Sequence, residues 1–335
     1  MPERIRIALA GAGIFARDAH IPALLSLQDR FEIVAIYSRT RATAEALVAS
    51  MPIKPAITSD LDELMRRNDI DALDILLPID LLASAVDLAL ASGKHVVSEK
   101  PMAADVASGE RLLSIYANHP AQVWMVAENW RYENAFCAAA ELVQNGDLGP
   151  VFSAHWALAN SLVPSNKYYQ TAWRRSGSFP GGFLMDGGVH HVAVLRQILG
   201  EIVGVNAVVK QMRADLPPAD TLSAALEFAS GTIGTYTVTY AAGAPWTSAL
   251  HLVGERGTAR IDRNLLEVTA DGQPKPVSFA ENKSVTDELA AFADAIQHGT
   301  PHRNSPTEAL NDVAVIEAML RSAETGRRVT PQRFA

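Results

Sequence analysis

Asp186 and His190 are the pair in this sequence whose types and spacing could do chemistry. They lie in Gly181-Gly182-Phe183-Leu184-Met185-Asp186-Gly187-Gly188-Val189-His190-His191, just past the middle of the chain, and the apolar run Val192-Ala193-Val194-Leu195 follows. Four residues apart on a helix, the two side chains share a face. A carboxylate one turn from an imidazole orients the ring and raises its basicity, which suits proton transfer. The same residues also make an ordinary helix start, with Asp186 as its cap, so the surrounding elements have to decide. The adjacent His191 points about 100° away on a helix and is expected to stand behind the pair.

The first half of the chain supplies something for such a pair to act on. Ile5 to Ala10 reads as a buried strand that runs into Gly11-Ala12-Gly13-Ile14-Phe15-Ala16, a G-x-G-x-x-A turn. A helical segment follows through Leu27, interrupted by Pro22, and a second strand spans Glu32 to Tyr37. This order is the context in which such a turn binds a dinucleotide. Gly11 allows the tight turn, Gly13 lets the backbone approach a pyrophosphate, and small Ala16 lets helix and sheet pack closely. Ile14 and Phe15 open the helix and belong to the same expected contact set. The second strand ends in Tyr37-Ser38-Arg39-Thr40-Arg41, without the acid that would bond a ribose 2′-hydroxyl. Ser38 and Arg39 suit a 2′-phosphate, so NADP is the expected cofactor, with NAD as the alternative.

The alternation continues with helices over Ala42–Met51, Asp60–Arg67, Leu81–Ser92 and Val106–Ala117. Strands are expected at Ala56–Ile57, Ala72–Leu77, His95–Ser98 and Gln122–Ala127. That is a doubly wound parallel sheet, an α/β Rossmann-type domain whose ligands bind beyond the carboxyl ends of the strands. Leu77 and Pro78 end the fourth strand, and Glu99-Lys100-Pro101 ends the fifth. All four residues from Leu77 to Lys100 that lie at these ends are expected at the cofactor. Lys100 there could hydrogen-bond a substrate hydroxyl and favour its deprotonation. Asn129, just past the sixth strand, is expected on the substrate side.

The pattern then changes. A helix runs to about Asn145, Val151–Ala159 alternates like a strand, and a long loop spans Leu162–Pro180. Connections of that length are usually functional. The loop holds Tyr168, expected at the substrate, and Trp173 and Arg174, expected at the cofactor. After the helix through Leu199 come strands at Ile202–Gln211, Leu222–Phe228, Thr232–Tyr240, Leu250–Val253, Thr258–Ile261 and Leu265–Thr269. Helices over Val285–His298 and Thr307–Thr325 close the chain. Clustered strands indicate an α+β domain with a large, mostly antiparallel open sheet. Such a sheet, helical on one face, covers its other face best with a second subunit, so a homodimer or homotetramer is expected. The boundaries expected are 1–127 for the cofactor domain and 128–335 for the substrate and oligomerisation domain, with the C-terminal helices able to pack back on the first.

The totals agree with two domains, since 335 residues exceed the ~250–300 at which single cores stop growing. A net charge of −8 and the lack of a basic run interleaved with aromatics argue against nucleic acid and anionic membranes as partners. No apolar run approaches the ~18–20 residues of a membrane span, and no secretory leader pattern opens the sequence, so a cytoplasmic location is expected. The single cysteine, Cys137, precludes an internal disulfide and reads as a small helix residue. No metal site is expected, because no further ligand has a spacing that would join Asp186, His190 and His191.

The glycine turn, Glu99-Lys100-Pro101, and Gly181-Gly182 followed by Asp186, Gly188 and His190 occur in that order. With these motifs the chain resembles the glucose–fructose oxidoreductase/inositol dehydrogenase (Gfo/Idh/MocA) family, in a subgroup found in fungi and bacteria, over essentially its whole length. The resemblance implies reversible hydride transfer between a nicotinamide and a carbinol of a sugar, cyclitol or related polyol. It implies that Lys100, Asp186 and His190 are catalytic: His190 shuttles the hydroxyl proton, Asp186 orients it, and Lys100 holds and polarises the oxygen. Lys100, Asp186 and His190 would also touch the substrate. The chain departs from the family at Leu77, Pro78, Ile79 and Leu82, where Thr-Pro-Asn and a histidine often stand, and at Ala193, where many members have an acid. Two alternatives of the same fold are a dinucleotide-binding sensor or co-regulator without turnover and a redox-assisted glycoside-cleaving enzyme.

Overall fold

Six short apolar runs in the first part of the chain form one parallel sheet. A computed structural model describes residues 4–247, 249–270, 272–279 and 282–335. Its first six strands are β1 (Ile5–Ala10), β2 (Phe31–Tyr37), β3 (Ala56–Thr58), β4 (Ala72–Ile75), β5 (His95–Glu99) and β6 (Trp124–Ala127). They lie in the order β3-β2-β1-β4-β5-β6 and pair in parallel throughout. β4 and β6 are buried at every position, as strands covered on both faces are. The strand order reverses between β1 and β4, and such a reversal is where α/β sheets bind ligands at the carboxyl ends of their strands.

Of the connecting helices, which include α2 (Arg41–Ala49) and α4 (Ile79–Ala91), two start at a side-chain cap. Asp60 accepts from the N–H groups of Asp62 (2.9 Å) and Glu63 (3.1 Å) to cap α3 (Leu61–Arg66), and Asp105 accepts from that of Ser108 (2.7 Å) to cap α5 (Val106–Tyr116). Pro22 does not interrupt its helix as expected. It sits in the first turn of α1 (Ile21–Ser26), where a missing N–H costs little. The departure from regular helix lies just before it, in a π-helical turn at Ala16–His20.

The chain divides into two units, Met1–Asn129 with Val285–Leu310, and Trp130–Ser284 with Asn311–Ala335. Within the first, α8 (Ser284–His298) returns to the sheet. Its Leu289, Phe292 and Ala293 join the core of Ile7, Leu9 and Phe31. Arg30 donates to Asp294 (2.7 Å) and Gln297 (2.9 Å) on the same helix.

The second unit is built on a nine-stranded mixed sheet. β7 (Val151–Ser161), β8 (Ile202–Lys210), β9 (Thr221–Phe228), β10 (Ile233–Thr239), β12 (Leu250–Gly254), β13 (Gly257–Asp262), β14 (Leu265–Ala270) and β15 (Gln273–Ser278) run in the order β15-β14-β13-β12-β7-β10-β9-β8, and β11 (Ala241–Thr247) pairs with β7. Every pairing is antiparallel except that of β7 with β10. β11 and β15 were not expected. β15 carries Pro274 and Pro276, two residues apart, so both missing donors lie on one side. It is an edge strand, where that side needs no partner. Leu222, Ala224, Leu226, Tyr236 and Val238 alternate inward on β9 and β10, and Ser223, Ala225, Thr235 and Thr237 face out.

On the inner side lie α6 (Asn134–Gln144), α7 (Phe183–Leu199) and α9 (Pro306–Thr325). α7 is buried over most of its circumference: the consecutive residues Val192, Ala193, Val194 and Leu195 are at most 2% exposed, while Gly187, His190 and Gln197 form a half-buried stripe. One carboxylate ties the two longest helices together. Asp312 on α9 accepts from Arg196 on α7 (2.6 Å) and from Arg131 (2.9 Å), all three buried. No described helix is long and apolar enough to cross a membrane.

Asp312→Ala removes a buried carboxylate shared by two guanidinium groups, of which Arg196 keeps Glu201 (2.8 Å), and is expected to destabilise the protein by about 1.5–3 kcal/mol. Urea denaturation followed by circular dichroism measures this, and a loss below about 1 kcal/mol would show that the triad is not structural.

Candidate active site

Each expected cofactor residue of the first unit falls at the carboxyl end of a strand. Gly11 follows β1, Ser38 and Arg39 follow β2, Leu77 and Pro78 follow β4, Glu99 ends β5 and Lys100 comes next. Gly11 has φ +137°, and a Cβ there would lie 2.4 Å from the carbonyl oxygen of Leu76, so only glycine fits between β1 and β4. Gly13 is the opposite case. A Cβ there would meet nothing within 4 Å, which leaves the start of the helix open to a group approaching its N–H donors. Ile14 and Phe15 flank this opening, half-buried. Ser38 is half-buried and Arg39 exposed, whereas Arg41 is engaged by Glu45 at 2.9 Å. These residues fit a dinucleotide: glycine turn, exposed donors and a basic group at the end of β2. Lys100 is half-buried, as is Asn129 past the end of β6.

In the second unit, α7 places Asp186 in its first turn and His190 one turn on. Asp186 is 7% exposed and His190 half-buried. The long loop reaches the carboxylate. Arg174, in a 3-10 turn at Ala172–Arg175, donates from Nε to Asp186 Oδ2 at 2.8 Å and from Nη1 to the Thr171 hydroxyl at 3.1 Å. Its guanidinium carbon lies 4.1 Å from the Trp173 ring centre and 5.2 Å from that of Tyr168. Tyr168, Trp173 and Arg174 thus come together with Asp186, the arginine stacked on rings that keep it aimed.

The imidazole of His190 has a partner that the sequence pattern did not single out. Trp130 stacks on it with ring centres 5.2 Å apart and planes 13° from parallel. The Arg263 guanidinium lies 4.8 Å from the Trp130 ring centre and pairs with buried Glu133. His191, 3% exposed, is enclosed by Trp130 and Trp156 and makes a 2.7 Å hydrogen bond to the Tyr236 hydroxyl. Trp130 lies 60 positions from His190, and nothing in its neighbours marks it; only the stacking does.

Packing also explains a glycine of the opening motif. A Cβ on Gly187 would stand 1.9 Å from the Tyr240 hydroxyl oxygen. That hydroxyl is buried without a hydrogen-bond partner, and burial together with the Asp186 charge holds its pKa far above the ordinary value. Ala193, where relatives of this pattern often carry an acid, is wholly buried. Among the described residues no group of three or more His, Cys, Asp or Glu side chains is gathered to hold a metal ion.

A glycine turn at the reversal of a parallel sheet, with a carboxylate–imidazole pair on a helix of a second, mixed-sheet unit, defines a dinucleotide-dependent oxidoreductase. The comparisons are specific. Residues 5–127 match the NAD-binding Rossmann fold of an oxidoreductase family and residues 140–330 match its C-terminal alpha/beta domain, and the chain belongs to this Gfo/Idh/MocA family. It is 31% identical to the dehydrogenase FPY6 of Fusarium mangiferae, over 95% of this chain and 96% of that one. It is 26% identical to an inositol 2-dehydrogenase of Rhodococcus erythropolis, over 99% and 97%. The crystal structure of an oxidoreductase from Thermotoga maritima superposes with a TM-score of 0.91 at 36% identity, covering 98% of each chain.

If Gly187 is glycine because of Tyr240, then Gly187→Ala costs about 1–3 kcal/mol. Tyr240→Phe, which deletes an unpaired buried hydroxyl, costs little alone and restores part of that loss in the double variant. Denaturation of the four proteins reads the coupling, and strictly additive losses would contradict it.

Proposed function

We propose that this oxidoreductase uses NADP to interconvert a carbinol and a carbonyl on a sugar, cyclitol or related small polyol. The observation that carries the reading is the pairing on one helix of a buried carboxylate and a half-buried imidazole, in a chain whose other unit offers an open glycine turn. The relatives named for dehydrogenation, one of them on inositol, support the substrate class. Ser38 and exposed Arg39 at the end of β2, with no acid there, support NADP over NAD.

In this reading residues 1–127 bind the cofactor and 128–335 the substrate. Gly11, Gly13, Ser38 and Arg39 would hold the dinucleotide, whose nicotinamide would supply the hydride-transfer chemistry. Lys100 Nζ holds the reacting oxygen and favours loss of its proton, and a ring nitrogen of His190 carries that proton. Asp186 orients the imidazole, with Arg174 holding the carboxylate and Trp130 backing the ring. Asn129 and Tyr168 contact the hydroxyl groups of the substrate. Leu77, Pro78, Ile14, Phe15, Glu99 and Trp173 complete the cofactor's surroundings. A single cysteine and a net charge of −8 accord with a cytoplasmic enzyme.

Calorimetric titration is expected to show tighter binding of NADP than of NAD, and Arg39→Asp to reverse the order. With a polyol panel, Lys100→Ala and His190→Ala are each expected to lower kcat by about 10²-fold or more with cofactor affinity little changed. Unaltered turnover in both variants would sink the assignment of roles, and cofactor binding without turnover on any substrate would favour a sensor.

We also propose that a second copy covers the outer face of the large sheet, giving a homodimer or homotetramer. That face is largely uncharged over β7, β9 and β10, with Ile233 exposed at 61% and hydroxyl pairs such as Ser223 with Thr237 (2.9 Å). Ile233→Arg with Thr237→Arg is expected to yield monomers in sedimentation, and a wild-type monomer would refute the idea.

A further inference from the structure

Glu288 on α8 is a carboxyl group that the proposed chemistry does not use. It is 1% exposed, and neither of its oxygens has a hydrogen-bond partner. Four other ionisable groups of the same unit lie near enough to act on its charge: His20 at the end of the π-helical turn, Asp74 on β4, Glu99 at the end of β5, and Glu128 just past β6. His20 is wholly buried and contacts a carboxylate from each ring nitrogen. Nδ1 lies 2.8 Å from Asp74 Oδ2, and Nε2 lies 3.3 Å from Glu99 Oε1. The edge-on Phe15 ring closes one side, with centres 5.2 Å apart.

Five buried or half-buried ionisable groups in one place need an explanation beyond folding, because apolar side chains would fill the same space at lower cost. Their location suggests one. The cluster links the turn that follows Gly13 to the strand end that carries Lys100. In a doubly wound sheet the second mononucleotide half, β4 to β6, serves the nicotinamide side. The two forms of the cofactor differ there by one unit of charge: the oxidised ring is a cation and the reduced ring is neutral.

We propose that the His20–Asp74–Glu99–Glu288 cluster sets the charge at this end of the cofactor site and so makes the chain bind the oxidised dinucleotide in preference to the reduced one. The inference rests on the dinucleotide-dependent reading above. Burial, the largest influence on His20, favours a neutral ring, but Asp74 and Glu99 together overcome it and hold its pKa well above the ordinary value. Burial, reinforced by the surrounding carboxylates, holds Glu288 protonated far above the usual carboxyl range, and burial also raises Asp74. One imidazolium therefore stands among carboxylates of which Glu288 is held neutral. The residual negative charge, in a medium of low dielectric, favours a cationic ring. As pH rises, loss of a proton from His20 or Glu288 makes the cluster more negative, and the preference grows.

The test is the ratio of dissociation constants for oxidised and reduced cofactor, measured by calorimetry on the full-length protein. Glu99→Gln is expected to shift the ratio toward the reduced form by about three- to tenfold. His20→Asn removes the positive member and shifts it the other way. Glu288→Gln reduces the growth in oxidised-form preference with rising pH and leaves the part that belongs to His20. Thermal melts identify any variant that fails to fold, and Glu99→Gln and Glu288→Gln, each nearly isosteric, stand if His20→Asn does not. Variants that weaken both forms by the same factor, leaving the ratio constant, would make the cluster purely structural and overturn the proposal alone. Failure of the unaltered protein to bind either form would overturn the dinucleotide reading with it.

Discussion

A helix buried over most of its circumference leaves its polar groups little solvent to turn to, so its buried polar side chains must be answered by the protein. α7 is such a helix, and the second unit is arranged around those answers. Asp186 is met by Arg174, whose guanidinium is held between aromatic rings. His190 is covered by the face of Trp130. His191 bonds the Tyr236 hydroxyl on the sheet, and Arg196 bonds Asp312 on α9. An unanswered polar group at this depth costs on the order of 1–3 kcal/mol, more for a charge. The partners are therefore part of the conditions under which the helix can be buried, and the candidate chemistry uses the same fixed geometry.

The first unit solves a similar problem differently. A parallel sheet covered on both faces leaves its strand ends as the place where backbone and side-chain polar groups meet solvent or ligand. Glycine at position 11 lets β1 and β4 close together, and glycine at 13 leaves the helix start open. Just below that surface the protein buries His20 between Asp74 and Glu99. Burial raises the pKa of Asp74 and holds that of nearby Glu288 well above the ordinary carboxyl value.

The family supplies the activity class, while the particular residues distinguish this chain within it. Apolar Leu77 and Ile79 follow β4, Ala193 is buried where an acid often stands, and the long loop delivers an arginine to Asp186. These features bear on which substrate is accepted, because a site that pairs a carboxylate with arginine offers the substrate different hydrogen bonds from one that leaves it to the solvent.

Much of the architecture is legible in the sequence. Apolar runs of strand length, the G-x-G-x-x-A turn between two of them and the apolar stretch after His191 specify the parallel sheet, its opening and α7, because each depends on periodicity or backbone freedom within a few residues. β11 and β15 escape such reading since their prolines argue against strands, and an edge position, which only the assembled sheet defines, removes the objection. The π-helical turn likewise has no local sign. The partners of the chemistry-bearing residues depend on tertiary structure almost entirely. His20 and Asp74 are 54 positions apart, and Arg131 and Asp312 are 181 apart. Residue type and spacing determine by themselves where a carboxylate and an imidazole share a helix face. Which guanidinium meets the one, which ring covers the other and which carboxyl stays neutral were decided only when distant segments were packed together, since burial and proximity, the sources of those effects, exist only in the folded chain.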